Sequence, residues 1–171
     1  YADYQLVDVD DVPTKAFLVL YKYSSDGGVT WSKPMKITSD EETVRAIKFY
    51  QKHHTVEDNF PYYVQTVPWA CVDKSGEVHM VWQDDRDGQG YLEDAALNKW
   101  HVRHTTLRKL DPLPAMSERA SQNVLQKRPC LDFMSCYADS KFLYVTWGEA
   151  PEAKVDWPRN PILKLARRKL K

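Results

Sequence analysis

The sequence has no net charge and no long apolar run. Among its 171 residues, 24 lysines and arginines balance 24 aspartates and glutamates. A balanced chain has no overall basic field that would attract nucleic acid or an anionic membrane surface. No apolar stretch approaches the roughly 18–20 residues that a membrane-spanning helix needs. We therefore expect no nucleic-acid partner and no membrane span.

Cysteine is scarce as well. The chain contains only Cys71, Cys130 and Cys136, and no two of them form a C-x-x-C pair. This odd number and spacing predict neither a disulfide framework nor a zinc site, so we expect buried free thiols. The adjacent His53 and His54 are better explained as solvated side chains than as metal ligands. The sequence thus predicts no metal and no cofactor.

Apolar residues are present in sufficient number for a folded core. Hydrophobic residues make up 43% of the chain and aromatic residues 12%, which argues against disorder. Short apolar segments at 17–21 and 34–38 flank a loop that contains Asp26, Gly27 and Gly28. Two such segments around a glycine-containing turn predict a β-hairpin.

The segment after this hairpin has a helical pattern. Ser39 stands three residues before Glu42, which is the spacing of a capping box. Val44, Ile47 and Tyr50 then recur at helical intervals. The sequence therefore predicts a short helical insertion near residues 40–54.

The chain contains an internal repeat. Residues 71–82 align without a gap with residues 136–147, matching Cys71 with Cys136 and Trp82 with Trp147. Each copy has the pattern of two strands joined by a tight polar turn, and an apolar segment follows each at 99–104 and 162–165. Residues 17–23 resemble that third strand in an earlier copy.

The repeat predicts an all-β fold of consecutive four-stranded antiparallel meanders, with strands a, b, c and d. We expect a single partial repeat segment over 1–171: the end of one unit at 1–38, a full unit at 64–126 and the start of a third at 129–171. Repeated four-stranded sheets are the pattern of a β-propeller. An ordinary antiparallel sandwich with two similar hairpins is the alternative.

One motif connects the repeat to a family. The stretch SSDGGVTW fits S-x-D-x-G-x-T-W and resembles the Asp-box, or BNR repeat, of sialidase-like β-propellers. Trp82 to Gly88 is similar to the W-x-D-x-R-x-G segment of their second strand and following loop. The other two expected Asp-box positions, 104–107 and 166–168, are degenerate. The residues that fill the motif are Ser24, Asp26, Gly28, Thr30 and Trp31.

The resemblance implies that the Asp-box is structural. It forms the turn between strands c and d, where Asp26 hydrogen-bonds its own turn and Trp31 packs against the sheet. Ligands of the family bind at the opposite rim, which the b–c and d–a connections form; we call it the ligand rim. The residues of this chain expected there are Asp84, Asp85, Arg86, Asp87, His53, His54, Tyr62, Tyr63, Arg119 and Glu149.

The resemblance does not carry the catalytic motif. A sialidase uses an arginine cluster, a tyrosine nucleophile with a nearby glutamate, and an aspartate as acid and base. No R-I-P motif occurs here, and Arg86 is flanked by acids that would pair with it. We therefore expect a non-catalytic glycan-binding, protein-binding or scaffold module. The alternatives are a piece of a sialidase-type exo-glycosidase whose catalytic residues lie mostly outside this chain, and a structural subunit of a larger assembly.

The chain is short for the family, because a six-bladed ring needs far more than 171 residues. We expect it to be a piece of a longer protein; further copies or partner subunits could instead close the ring. The family favours a secreted or periplasmic location. Three unpaired thiols fit a reducing compartment equally well.

Overall fold

The computed structural model describes residues 1–53, 62–63, 65–84, 101–107, 118–119, 129–149 and 162–170. These residues are mostly β-structure, with one α-helix. The elements are β1 (Ala2–Val9), β2 (Val12–Tyr21), β3 (Met35–Lys36), α1 (Asp40–His53), β4 (Tyr62–Tyr63), β5 (Gln65–Val72), β6 (Val78–Asp84), β7 (His101–Leu107), β8 (Glu118–Arg119), β9 (Pro129–Ala138), β10 (Phe142–Glu149) and β11 (Ile162–Lys169).

The strands form three sheets. The first sheet has the antiparallel order β1-β2-β3, and the short β4 pairs with β2 in parallel. The central sheet has the order β5-β6-β7-β8 and the third sheet the order β9-β10-β11, all antiparallel. Strand order therefore follows chain order in the central and third sheets. The predicted hairpin of the first sheet is also present, whereas β1 was not predicted from the sequence.

The strands show the alternation of buried and exposed side chains that a sheet imposes. In β10, Leu143, Val145 and Trp147 are buried, whereas the intervening Tyr144 and Thr146 are only half-buried. β6 differs, because six of its seven residues are buried. Near-continuous burial of this kind is typical of a strand whose sheet is covered on both faces.

The central sheet is indeed covered on both faces. One face packs Met80 and Trp82 against Val19 and Tyr21 of β2 and against Ile37, which directly follows β3. The other face packs Val81 and Val102 against apolar side chains of the third sheet, which are Met134, Cys136, Ala138, Leu143, Val145 and Trp147. The three sheets are therefore stacked face to face, with the core in the two layers between them.

The repeated cysteines meet in the second of these layers. Cys71 on β5 packs against the cluster that contains Cys136 of β9, and neither forms a disulfide. Burial raises the pKa of both thiols above the ordinary value of 9.0. Cys136 is thus a buried free thiol, as predicted, while Cys71 is half-buried; the Cys130 side chain lies outside the described part.

Helix α1 covers the outer face of the first sheet and agrees with the predicted helix near 40–54. Ser39 caps it, because the Ser39 hydroxyl accepts the Glu42 backbone N–H at 3.2 Å. Acidic residues occupy its first turn, where their negative charges interact favourably with the helix dipole. Ala46 and Ile47 are buried against strand residues Val7, Val9, Ala16 and Leu18.

The outer face of the third sheet has no such cover among the described residues. Tyr137, Leu163 and Leu165 are all well exposed there, with Leu163 at 71%. The guanidinium of Arg167 lies over the ring of Phe142 on the same face. The two outer sheets therefore differ, because α1 packs on the outer face of the first sheet.

Candidate functional site

The hairpin loop of residues 22–34 is held together by Asp26. Its carboxylate accepts the Thr30 backbone N–H at 2.9 Å, the Thr30 hydroxyl at 2.6 Å and the Ser24 hydroxyl at 2.7 Å. These bonds, chiefly those from Thr30, hold the pKa of Asp26 well below its ordinary value of 3.8. Gly28 adopts a φ of 93°, in the left-handed region that favours glycine. The prediction that Asp26 hydrogen-bonds its own turn is confirmed.

The prediction for Trp31 was wrong. Its side chain does not pack against the sheet and is 60% exposed. The indole N–H instead donates to the Gly28 carbonyl at 3.1 Å, so the ring folds back over the loop. A Cβ atom at Gly28 would lie 3.8 Å from the indole. The hydrogen bonds of the Asp26 carboxylate and of the Trp31 indole described above are therefore all made within the loop.

The short turns of the central and third sheets lie at one end of the stack, whereas the two-residue turn between β1 and β2 lies at the other end. The turn at 73–77 joins β5 to β6, and the turn at 139–141 joins β9 to β10; Lys74 of the first is close enough to Asp139 of the second to lower its pKa. Met35, directly after the hairpin loop, packs in the same cluster as Val78 and Leu107 at this end. We call it the short-turn end.

The long connections start from the opposite end, where the ligand rim was predicted. Residues 85–100 link β6 to β7, and residues 150–161 link β10 to β11. Asp84 and Glu149 close equivalent strands at this end, because each is the last residue of its strand. The two positions agree with the strand order that the repeat predicted.

The remaining ligand-rim candidates are only partly covered by the structure. Asp85, Arg86, Asp87 and His54 lie outside the described residues. Only the backbone is described for the others: His53 ends α1, Tyr62 and Tyr63 form β4, and Arg119 lies in β8. Their roles stay predictions.

Asp84 is the one candidate whose side chain is described, and it is buried. Its carboxylate accepts the Trp82 indole N–H at 2.7 Å and the Gln65 amide at 3.3 Å. The Nε atom of Arg103 lies 3.6 Å from its other oxygen. A carboxylate needs such partners when it leaves water. Asp84 therefore anchors the start of the 85–100 connection from inside the sheet stack.

Gln65 extends this anchor into the first sheet. Its side-chain oxygen accepts the Val19 backbone N–H at 3.0 Å, and its amide nitrogen donates to the Thr38 hydroxyl at 2.9 Å. Neither Gln65 nor Arg103 was predicted from the sequence, because polar residues in a strand are usually assigned to its solvated face. The only available signal was Gln65 at the start of a strand otherwise rich in apolar residues.

Groups that can hold a metal are also brought together among the described residues, at the short-turn end. They are Asp73, Glu77 and His79. The carboxylates and the imidazole come from one hairpin of the central sheet, and none of them was predicted as a ligand.

No family model, curated protein or solved structure matches this chain. Among the helices that the structure describes, none has the length and apolarity needed to cross a membrane.

Proposed function

We propose that this chain is a segment of a sialidase-like β-propeller that acts as a non-catalytic binding module, with a glycan as the favoured ligand. The observation that carries the proposal is the stack of antiparallel sheets whose strands follow chain order. A propeller is assembled from four-stranded sheets of this kind. The central sheet, with four strands and apolar packing on both faces, supports the same assignment.

The difference between the two ends of the stack supports a binding role. In the central and third sheets, tight turns occupy the short-turn end and the long connections 85–100 and 150–161 start from the opposite end. Long loops on a rigid scaffold are where binding residues concentrate. The predicted ligand rim combines carboxylates, two arginines, two histidines and two tyrosines, which suit the hydroxyl groups and apolar ring faces of a sugar.

Two features favour binding over catalysis. The chain lacks the R-I-P motif with which the family's arginine cluster usually begins. Asp84, the predicted rim acid whose side chain is described, is buried and engaged by Trp82, Gln65 and Arg103. A buried carboxylate held in this way is unsuited to proton transfer with a bound sugar.

The outer face of the third sheet supports a larger assembly. Exposed apolar patches on a sheet favour contact with another surface. Tyr137, Leu163 and Leu165 would be covered by a further sheet, a second copy or a partner subunit. Helix α1 already covers the corresponding face of the first sheet.

The proposal is tested by glycan-array screening of the purified chain, followed by titration of the best ligand. Arg86→Ala is the rim variant, and Lys141→Ala removes an exposed cation at the short-turn end as the matched control. We expect Arg86→Ala to weaken binding about 10-fold, equivalent to ~1.4 kcal/mol, and Lys141→Ala to leave it unchanged. Equal effects, or no glycan binding, would contradict the glycan assignment. Hydrolysis of a fluorogenic sialoside by the chain would instead support the exo-glycosidase alternative.

A further inference from the structure

The hairpin of β5 and β6 places two carboxylates and an imidazole on one side of the sheet. Cys71 pairs with His79 across the two strands. One pleat further on, the Asp73 backbone N–H donates to the Glu77 carbonyl at 3.0 Å. Residues that pair across strands, and those two apart along a strand, project from the same face. The ligand atoms of Asp73, Glu77 and His79 consequently lie within 4.8 Å of one another.

Asp73 is oriented by its own turn. Its Oδ1 atom accepts the Ser75 backbone N–H at 2.8 Å, the Ser75 hydroxyl at 2.6 Å and the Glu77 backbone N–H at 2.9 Å. The Oδ2 atom is thereby directed at His79, 3.3 Å from Nε2. This distance is longer than the roughly 2.7–2.9 Å of a strong charge-assisted hydrogen bond. It agrees instead with the separation of two ligand atoms on a tetrahedral ion with bonds of about 2.0–2.1 Å, which is roughly 3.3 Å.

His79 is fully buried, and the ring nitrogen that faces away from Asp73 contacts a second histidine. Its Nδ1 atom lies 3.2 Å from Nε2 of His104, which is also buried. With a metal on Nε2, the Nδ1 atom of His79 carries the proton and donates it to His104. Metal-ligating histidines usually have such a partner on the other ring nitrogen, which fixes the ring.

The turn at 139–141 of the third sheet can be compared with the turn at 73–77, because both join two strands of the internal repeat. At the equivalent turn of the third sheet, Asp139 accepts the backbone N–H groups of Lys141 and Phe142, and Tyr144 donates to its Oδ2 atom at 3.3 Å. An aspartate therefore caps this turn in both sheets, although the ungapped repeat places Ala138 rather than Asp139 opposite Asp73. Phe142 and Tyr144 occupy the places of Glu77 and His79, so only the central sheet carries a second carboxylate and an imidazole.

We propose that Asp73, Glu77 and His79 form a binding site for a divalent transition-metal ion, of which Zn²⁺ is the best match. Three nitrogen and oxygen ligands with water in the fourth position make a common zinc arrangement. The imidazole selects against Ca²⁺ and Mg²⁺, which prefer oxygen ligands alone. The site is at the short-turn end, beside the layer between the central and third sheets, and is separate from the ligand rim.

The test is a titration of the chelator-treated, purified chain with ZnCl₂, followed by calorimetry and by thermal melting. We expect one ion per chain and a melting temperature that rises with free Zn²⁺, because an ion that binds only the folded state stabilises it. Glu77→Gln should bind at least about 10-fold more weakly, on the scale of losses at metal sites. Asp139→Asn, the matched change at the repeated turn, should bind like the wild type.

Co²⁺ provides a readout that does not depend on any variant, since tetrahedral Co²⁺ has strong visible absorption. Metal-free Glu77→Gln should have the circular dichroism spectrum of the wild type. Absence of one-to-one binding, a Co²⁺ spectrum without tetrahedral bands, or undiminished affinity in a folded Glu77→Gln variant would each overturn the proposal. A ring-nitrogen NMR signal of His79 that does not move on adding Zn²⁺ would do the same, even if Glu77→Gln fails to fold.

Discussion

Replacing Gln65 with leucine tests whether hydrogen bonds fix the first sheet against the central sheet. Leucine has nearly the volume of glutamine, so the change removes polar atoms without opening a large cavity. The Val19 backbone N–H loses its acceptor, and Thr38 and Asp84 each lose a donor. All of these groups are buried.

The magnitude follows from these three losses. A buried group left without its hydrogen bond costs about 1–3 kcal/mol. The Val19 N–H should bear this cost in full, whereas Thr38 can rotate its hydroxyl and Asp84 keeps its contacts with Trp82 and Arg103. We therefore expect Gln65→Leu to lower the free energy of unfolding by roughly 2–4 kcal/mol. Equilibrium urea unfolding measures this as a lower midpoint with an unchanged slope.

Gln83 supplies the matched control on the neighbouring strand. It is fully buried like Gln65, but within the described part of the chain its amide nitrogen and oxygen have no hydrogen-bond partner. Gln83→Leu should thus be neutral or stabilising, because it removes the desolvation cost of an amide. Equal destabilisation by the two substitutions would refute the role assigned to the Gln65 bonds, and so would a Gln65→Leu variant as stable as the wild type.

Two further predictions concern the hairpin loop and the helix. The lowered pKa of Asp26 means that its carboxylate stabilises the fold fully above its unfolded pKa near 3.8, and that this contribution is lost as the pH falls through the folded value. The difference in melting temperature between the wild type and Asp26→Asn should therefore shrink progressively below about pH 4; a constant difference would contradict this account. Ile47→Ala, which empties a fully buried position between α1 and the first sheet, should cost about 2–5 kcal/mol in urea unfolding. Phe49→Ala on the same helix, where the side chain is 39% exposed, should cost clearly less, and equal costs would show that α1 does not pack as described.

Much of the local structure could be predicted from the sequence. The two hairpins of the repeat, the hairpin around Asp26 and the capped helix after Ser39 all follow from short-range rules. Those rules are the alternation of apolar residues in strands and the hydrogen-bonding preferences of turn and cap residues. Such signals depend on residues within a few positions of one another, so a single sequence contains them.

The unpredicted features depend on partners that are distant in the chain or on loop geometry. Gln65 contacts Val19, which is 46 residues away, and its position in the strand gives no sign of that contact. Trp31 could have packed on the sheet or folded back over its loop, and the hydrogen bond from its indole to the Gly28 carbonyl favours the second arrangement. The cluster of Asp73, Glu77 and His79 was not predicted, because the residues around this turn are already accounted for as two strands and a tight polar turn.

The two layers of the core differ in how strictly they fix the sheets. Hydrophobic packing is largely non-directional, whereas a hydrogen bond specifies which atoms must meet. The layer between the central and third sheets is an apolar cluster built around Trp147 and Val81. In the layer between the first and central sheets, Gln65 links the Val19 backbone to Asp84, and Asp84 is the residue from which the 85–100 connection leaves the stack. The base of the predicted ligand rim is therefore tied to the first sheet by directional bonds. These bonds give a physical reason for a buried acid at the position where the 85–100 connection begins.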